Sequence, residues 1–418
     1  MNLIFKKARL IESGNLFHNQ VIDIKIEDGI IQKIDSNIQS EEGFEVIELD
    51  NLHVSAGWFD TSVSLGEPGY EERETITNGL QVAAKSGFTG IALQPNSNPI
   101  IDNQSQIHFV KQKANNSATE LFPIGALTKN SDGIELAELF DMKNAGAIAF
   151  GDYNKSIDNA NLLKVALQYT QDFDGLVIAF SQDNNIKGKG IVNEGISTTQ
   201  LGLKGIPSLA EEIIINRNLF ILEYTGGKLH IPTVSTSKSV QLIRDAKAKG
   251  LSITCSVAVH NLFFNDNVLK EFDANFRVTP PIRTEEDRKA LIKGVIDGTI
   301  DCITSDHNPV DIEHKKLEFD LAKNGTIGLE SAYGTLQTIL PTEVIIEKLT
   351  AGRKIFGLDN VSIKEGEKAN ISLFNPEGSS EFSSENILSK SKNSAFLGST
   401  VKGKVYGIYN QGSLTLNN

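Results

Sequence analysis

The chain has few side chains that could do acid–base or metal chemistry, and histidine is scarce among them. Its 418 residues include seven histidines and two cysteines, Cys255 and Cys302. Two cysteines exclude a disulfide scaffold or a cysteine-rich zinc site within one chain, and they fit a reducing, cytoplasmic compartment. One acid, Asp306, stands directly before His307, where an apolar run ends. A carboxylate or imidazole at such a place can act as a general base or hold a metal ion.

Asp306 and His307 lie in the central part of the chain, where strand and helix patterns alternate. Short apolar runs rich in Ile, Val, Ala and Phe are typical of strands buried on both faces. They start near His53, Phe88, Leu121, Ala145, Gly175, Lys228, Leu251 and Asp301. Helical patterns lie between them, most clearly at 72–86, 134–144, 208–224, 237–249 and 284–297. Eight such units predict a (β/α)8 barrel of the TIM type. The alternative, a doubly wound open sheet, is disfavoured because no Gly-x-Gly-x-x-Gly turn follows the first strand.

The two ends of the chain follow a different pattern. Residues 21–26 and 30–34 read as two strands around a Glu-Asp-Gly turn, as in a short meander. Strand-like runs also occur near the C-terminus, at 369–374 and 404–409. We therefore expect an α/β protein in which 1–52 and 360–418 form a small β-sandwich-like domain, while 53–359 form the barrel.

Several segments at the predicted strand ends resemble class I dihydroorotases of the cyclic amidohydrolase superfamily, and the resemblance covers nearly the whole chain. Residues 55–60 (Ser-Ala-Gly-Trp-Phe-Asp) with 67–69 (Glu-Pro-Gly) resemble the first-strand signature. Residues 94–99 (Gln-Pro-Asn-Ser-Asn-Pro) resemble the second-strand motif. Residues 280–283 (Pro-Pro-Ile-Arg) and 305–309 (Ser-Asp-His-Asn-Pro) are similar to segments before and after the last strand. The resemblance implies a zinc-dependent hydrolase of cyclic amides in pyrimidine biosynthesis.

The same resemblance places other residue types where the family has its metal ligands. The two first-strand histidines correspond to Ser62 and Ser64, and those of strands 5 and 6 to Phe180 and Thr233. The arginine that holds a substrate carboxylate corresponds to Gly66. Hydroxyls replace imidazole poorly, and catalytic zinc usually takes about three protein ligands plus water. The sequence therefore predicts a divergent member with a degenerate site and no metal cofactor.

Four polar residues still match the family. Asp306 corresponds to the general base and is expected to be vestigial, because a base without a metal-activated water does not hydrolyse an amide. Asn96, His260 and His307 are the candidate ligand-binding residues. Two of them also have an ordinary structural interpretation: Asn96 as a turn residue that bonds local backbone, and His260 as a buried, hydrogen-bonded imidazole.

Three functions remain open at this point. The first is a non-catalytic dihydroorotase homologue that acts as a structural or regulatory companion. The resemblance makes aspartate carbamoyltransferase its first candidate partner. The second is an active cyclic-amide hydrolase with a site rebuilt from Asp152, Asp306, His260 and His307. The third is a barrel that binds a new small molecule.

Overall charge narrows the range of partners. The net charge of −13 argues against nonspecific binding to nucleic acid or to anionic membranes. No apolar stretch is long enough to cross a bilayer, so the sequence predicts no membrane span. We expect a cytoplasmic protein that forms homo-oligomers.

Overall fold

The computed structural model describes residues 1–417, apart from the side chain of Ser197. Its strands are β1 (Leu3–Leu10), β2 (Val21–Glu27), β3 (Ile30–Asp35), β4 (Glu45–Ile47), β5 (His53–Ala56), β6 (Trp58–Val63), β7 (Phe88–Leu93), β8 (Glu120–Gly125), β9 (Ala149–Phe150), β10 (Leu176–Ile178), β11 (Val192–Asn193), β12 (Gly205–Ile206), β13 (Lys228–Ile231), β14 (Ile253–Ala258), β15 (Cys302–Thr304), β16 (Ile371–Glu381), β17 (Thr400–Asn410) and β18 (Ser413–Leu416).

The helices alternate with the barrel strands along the chain. They are α1 (Ile76–Lys85), α2 (Gln104–Lys113), α3 (Leu139–Ala145), α4 (Ala160–Tyr169), α5 (Asn184–Lys187), α6 (Ile196–Gln200), α7 (Leu209–Thr225), α8 (Ser237–Ala248), α9 (Val259–Phe263), α10 (Glu285–Ile296), α11 (Ile312–Lys315), α12 (Leu329–Leu336), α13 (Thr342–Thr350) and α14 (Gly352–Ile355). Local sequence explains where several begin. For example, the Thr284 side chain caps α10 by accepting a hydrogen bond from the Asp287 N–H at 3.2 Å. Within residues 1–417, no helix is long and apolar enough to cross a bilayer.

Eight parallel strands form the barrel. Their order is β6-β7-β8-β9-β10-β13-β14-β15. Past the last strand, His307 bridges to Val63, and the Ser64 N–H donates to the His307 carbonyl oxygen at 2.7 Å, which nearly closes the sheet. The strands are almost wholly buried because the helices cover their outer face. The predicted (β/α)8 barrel is confirmed.

Both ends of the chain contribute to a second sheet. Its order is β18-β17-β16-β5-β1-β2-β3, with β4 paired to β1. The predicted first barrel strand is in fact two strands, and β5 belongs to this terminal sheet. Gly57 separates them at a crowded crossing, where an added Cβ would lie 1.8 Å from Asn370 Oδ1. The division of the chain into two domains at residue 52 stays a prediction.

Candidate functional site

Asp60 and Ser62 lie in the first barrel strand and Ser64 directly follows it, so a spacing of two separates the three polar side chains. Asp60 is fully buried, and this burial raises the pKa of its carboxyl group. It accepts hydrogen bonds from the Ser305 N–H at 3.0 Å and from the Thr304 hydroxyl. Asp60 therefore joins the first barrel strand to the eighth.

Asp306 belongs to a short chain of hydrogen bonds. The Ser62 hydroxyl donates to its Oδ1 at 3.0 Å, and the Gln94 amide donates to the Ser62 Oγ at 3.1 Å. The pKa of Asp306 is raised to about 7, mainly because the carboxyl group is removed from water; the Ser62 hydrogen bond lowers the pKa, and the nearby Asp60 charge raises it. Ser62 therefore stands at a matched metal-ligand position as the hydrogen-bond donor of the Asp306 carboxylate.

Ser64 is paired in the same manner, with Asn96. The Asn96 amide donates to the Ser64 Oγ at 2.8 Å, and the Ser64 hydroxyl lies 3.0 Å from Asn96 Oδ1. The candidate ligand-binding residue Asn96 thus has a side-chain partner within the site. Its polar atoms are engaged by a serine that occupies another matched ligand position.

The other two matched positions carry no comparable network. Phe180 is buried after β10, where it offers no ligand atom. Thr233 follows β13 with φ at 46°, and its buried hydroxyl has no hydrogen-bond partner among residues 1–417. Tyr153 and Asp306 also have positive φ values, of 54° and 48°. A β-branched threonine in this region is a strained outlier, so three strand ends keep costly backbone conformations.

The two candidate histidines are buried and neutral at physiological pH. His260 lies in α9, where burial lowers its pKa to about 3. Within the described chain neither of its ring nitrogens has a hydrogen-bond partner, so the expected hydrogen-bonded imidazole is not found. Burial also lowers the pKa of His307, to about 4. Its Nδ1 accepts from the Gly328 N–H at 3.2 Å, next to α12, and its Nε2 has no partner in residues 1–417.

Two further positions bear on catalysis. A Cβ atom at Gly66 would lie 1.8 Å from the Tyr70 carbonyl oxygen, so this loop conformation has no room for the family's arginine. Asp152 accepts hydrogen bonds from the Thr128 N–H at 3.0 Å and from the Thr128 hydroxyl. Asp152 therefore connects the end of β9 to the loop after β8. Both oxygens of its carboxylate already accept hydrogen bonds from Thr128.

The sequence also contained signals for residues that our prediction missed. Gln94 begins the segment that resembles the second-strand motif and directly follows β7, two residues before Asn96. Asp60 stands two residues before Ser62 by the same spacing. Either could have been predicted as a partner of the strand-end serines, because each is polar within a buried apolar run.

A family metal would require donors that these positions do not supply. Among residues 1–417 there is no group of three or more His, Cys, Asp or Glu side chains that could hold a metal ion. The matched ligand positions carry the hydroxyls of Ser62, Ser64 and Thr233 and the phenyl ring of Phe180. We therefore assign no catalytic step to a metal.

Comparison with known proteins gives matches over almost the full length. A family model described as "Dihydro-orotase-like" matches residues 53–239. A protein of Caldicellulosiruptor saccharolyticus named dihydroorotase is 40% identical over 423 residues, covering 99% of this chain and 98% of its own. A dihydroorotase of Geobacter metallireducens is 36% identical over 411 residues, covering 96% of each chain.

Solved structures agree on the fold. The structure of an L-hydantoinase (dihydropyrimidinase) from Arthrobacter aurescens superposes with a TM-score of 0.87 and covers 100% of this chain and 96% of that one. The sequence identity to it is 20%, so this similarity shows the fold alone.

These matches contradict the expectation that the chain takes no metal cofactor. The relatives are named dihydroorotase, and the resemblance to class I dihydroorotases implies zinc. The family therefore indicates zinc, and the prediction that this chain takes no metal cofactor is wrong. It was drawn from the four replaced ligand positions alone.

Identity of 36% and 40% to these two relatives, over 96% and 99% of the chain, is far more than a shared fold requires. The family model also matches the part of the chain that contains the first six strands of the barrel. The chain therefore belongs to the dihydroorotase family.

Proposed function

We propose that this chain is a non-hydrolytic member of the dihydroorotase family that acts as a structural or regulatory companion. One observation carries the proposal. Ser62 and Ser64, at matched ligand positions, are hydrogen-bonded to Asp306 and Asn96. The polar groups of the family's centre thus pair with one another in this chain, which supports a degenerate site.

The residues that bind the substrate carboxylate in the resembled family are also replaced in this chain. In the resembled family an arginine and an asparagine hold the substrate carboxylate, and here they correspond to Gly66 and Thr279. Gly66 leaves no space for a side chain, and the Thr279 hydroxyl accepts a hydrogen bond from the Asn324 amide. Losing a hydrogen bond to a charged group costs about 1.5–3 kcal/mol. A cyclic amide with a carboxylate would therefore bind weakly.

The second candidate is an active cyclic-amide hydrolase with a rebuilt site. The names of the relatives favour it over the non-hydrolytic function, since each one cited above is called dihydroorotase. The chain also keeps Asp306, whose pKa of about 7 suits a general base at neutral pH. Asp152 and His307 are less available, because each already accepts backbone hydrogen bonds.

A turnover assay separates the two candidates. The purified chain, supplied with zinc, is assayed in the hydrolytic and the cyclising direction beside the Caldicellulosiruptor relative. We expect no turnover above the enzyme-free reaction. Turnover that disappears in Asp306→Ala would overturn the proposal and establish the second candidate.

For the companion role we propose aspartate carbamoyltransferase as partner, on family resemblance. The net charge of −13 favours a partner with a basic face, mainly through the association rate. Affinity capture from the native cytoplasm at low and at physiological salt tests this choice. Recovery of the carbamoyltransferase would support it, whereas recovery of this chain alone at both salt concentrations would refute it.

A further inference from the structure

A cavity of about 560 Å³ lies between α1, α12 and the segment that runs from β16 to β17. Its volume falls within the range of about 300–1,000 Å³ that is typical of small-molecule sites. None of the strand-end residues described above lines it. The cavity is therefore large enough to hold a small molecule of its own, separate from any ligand of the strand-end site.

Glu330 of α12 lines this cavity, and only one of its two carboxylate oxygens has a partner. Its Oε1 accepts hydrogen bonds from the Ser389 N–H at 2.9 Å and from the Ser389 hydroxyl at 2.6 Å. Its Oε2 is buried and has no hydrogen-bond partner within residues 1–417. Leaving a buried acceptor unsatisfied is costly, and the strongest donor to a carboxylate is a cationic N–H. Glu330 therefore suits a ligand that carries an ammonium group.

Tyr333 lines the same cavity, three residues further along α12. Its ring stacks on the Trp58 indole, with ring centroids 5.0 Å apart, and lies 5.3 Å from the Phe374 ring. The side chain is only 1% exposed, and its hydroxyl has no hydrogen-bond partner in the described chain. A buried tyrosine hydroxyl usually finds a partner. Because side chains three residues apart are neighbours on a helix surface, one ligand ammonium can bond both Tyr333 and Glu330.

The other walls of the cavity offer a cation and an apolar surface. Lys85, the last residue of α1, lines the cavity and forms no ion pair within residues 1–417. Helix α1 packs against α12, so this lysine belongs to the wall next to Glu330. Phe382, Leu388 and Val401 supply the apolar lining. The cavity therefore presents an acceptor for an ammonium group, a cation for a carboxylate and an apolar surface for an aliphatic body.

We propose that this cavity binds a free α-amino acid with an aliphatic side chain. The ammonium group donates hydrogen bonds to Glu330 Oε2 and to the Tyr333 hydroxyl oxygen, the carboxylate pairs with Lys85, and the side chain packs on Phe382 and Val401. A zwitterion fits these walls best, because each of its charges meets an opposite one. An amine alone would leave Lys85 unpaired, and a carboxylate alone would leave Glu330 Oε2 without a donor. This inference is independent of whether the chain hydrolyses a cyclic amide.

Titration of the full chain with L-leucine tests the proposal. Trp58 is the single tryptophan of the chain and stacks on Tyr333, so its fluorescence reports on the cavity, and calorimetry measures the same binding independently. Two analogues each remove one charge: 3-methylbutylamine lacks the carboxylate, and 4-methylpentanoate lacks the ammonium group. We expect saturable binding of L-leucine, binding of the amine weaker by about 10-fold or more, and no binding of 4-methylpentanoate.

Variants assign each charge of the ligand to its wall. Glu330→Gln keeps an acceptor for Ser389 but loses the charge, and it should weaken L-leucine binding by about 10-fold or more. Lys85→Met should weaken binding of L-leucine but not of 3-methylbutylamine, a selectivity that a merely structural change would not produce.

The matched control is Glu343→Gln, which changes an exposed carboxylate of α13 outside the cavity and should bind L-leucine as the wild type does. Circular dichroism of each variant checks that it is folded. The proposal would be overturned if neither fluorescence nor calorimetry detected saturable binding up to about 10 mM L-leucine. Equal L-leucine affinity of wild type and Glu330→Gln, or binding of 4-methylpentanoate as tight as that of L-leucine, would also overturn it.

Discussion

Serine hydroxyls at the first barrel strand make hydrogen bonds to side chains that follow the second and the eighth strand. A hydroxyl donates one hydrogen bond and can accept others, which lets Ser62 bridge Gln94 and Asp306. Ser64 makes the corresponding contact with Asn96. The buried Asp306 carboxylate therefore receives a hydrogen-bond donor in Ser62. This hydrogen bond lowers the pKa of Asp306, but burial outweighs it and keeps the pKa raised.

The first prediction concerns the carboxyl group of Asp306. Its pKa is near 4 in the unfolded chain and about 7 in the folded one. Between pH 4 and pH 7 the folded state holds a proton that the unfolded state has released, so this residue makes stability fall as pH rises. Asp306→Asn stays neutral throughout. The variant should gain stability over wild type from pH 4 to pH 8, by up to about 4 kcal/mol.

Urea unfolding of both proteins at pH 5 and pH 8 measures this effect. The free-energy difference between Asp306→Asn and wild type should be larger at pH 8. A difference of equal size at the two pH values would show that the carboxyl group is not desolvated in the folded chain.

The second prediction concerns Thr233. Its φ of 46° strains a β-branched residue, and its hydroxyl is buried without a partner in residues 1–417. Thr233→Gly removes both penalties and should stabilise the fold by about 1 kcal/mol. Thr236→Gly is the matched control. Thr236 has φ at −114° and caps α8 through the Ser239 N–H, so its loss should destabilise. Thermal unfolding of both variants distinguishes them; a destabilised Thr233→Gly would contradict the assignment of strain.

At the scale of elements, a buried ion pair holds the segments around β13 in place. The Arg283 guanidinium donates to Asn193 Oδ1 at 3.0 Å and to the Ile206 carbonyl oxygen at 2.8 Å. It lies 4.0 Å from Glu211, which accepts from the Ser235 N–H after β13 at 2.9 Å. This pair joins β11, β12 and α7 to the end of the barrel.

The third prediction follows from this pair. Arg283→Met leaves the buried Glu211 without its cation and should cost about 3–5 kcal/mol. Adding Glu211→Gln should restore part of the loss, because the uncompensated charge is removed. Arg244→Met breaks a half-exposed pair with Asp297 and should cost less than about 1 kcal/mol. Urea unfolding gives the free energy of unfolding of Arg283→Met, of the double variant and of Arg244→Met. Additive losses in the double variant would contradict a direct interaction between Arg283 and Glu211.

Sequence patterns predicted the presence of strands and helices better than the residues at which they begin and end. The barrel strands were predictable because each is a short apolar run between helical patterns. The run near Ala145 was placed too early, since α3 extends to Ala145 and Gly146 ends it with φ at 109°. The split between β5 and β6 was missed because it depends on the crowding around Gly57, which involves Asn370 from the opposite end of the chain.

At the scale of the whole molecule, the chain keeps the barrel of its family, while the proposed difference is confined to the side chains at the strand ends. Motifs quoted from the sequence indicated which residues lie at the strand ends. They could not indicate that Ser62 and Ser64 pair with Asp306 and Asn96, because such pairing depends on the register between separate strands. The sequence could not indicate either that both His260 ring nitrogens lack a hydrogen-bond partner within residues 1–417, because this depends on the packing around α9.

Turnover of the zinc-supplied chain tests the central claim most directly. A metal-activated water supplies several kcal/mol of transition-state stabilisation, so a site whose replaced ligands do not place that water productively would react slower by several powers of ten. We therefore predict a rate at least about 10⁴-fold below that of the Caldicellulosiruptor relative, indistinguishable from the enzyme-free reaction and unchanged by Asp306→Ala. Turnover within about 100-fold of the relative, lost in Asp306→Ala, would contradict the account.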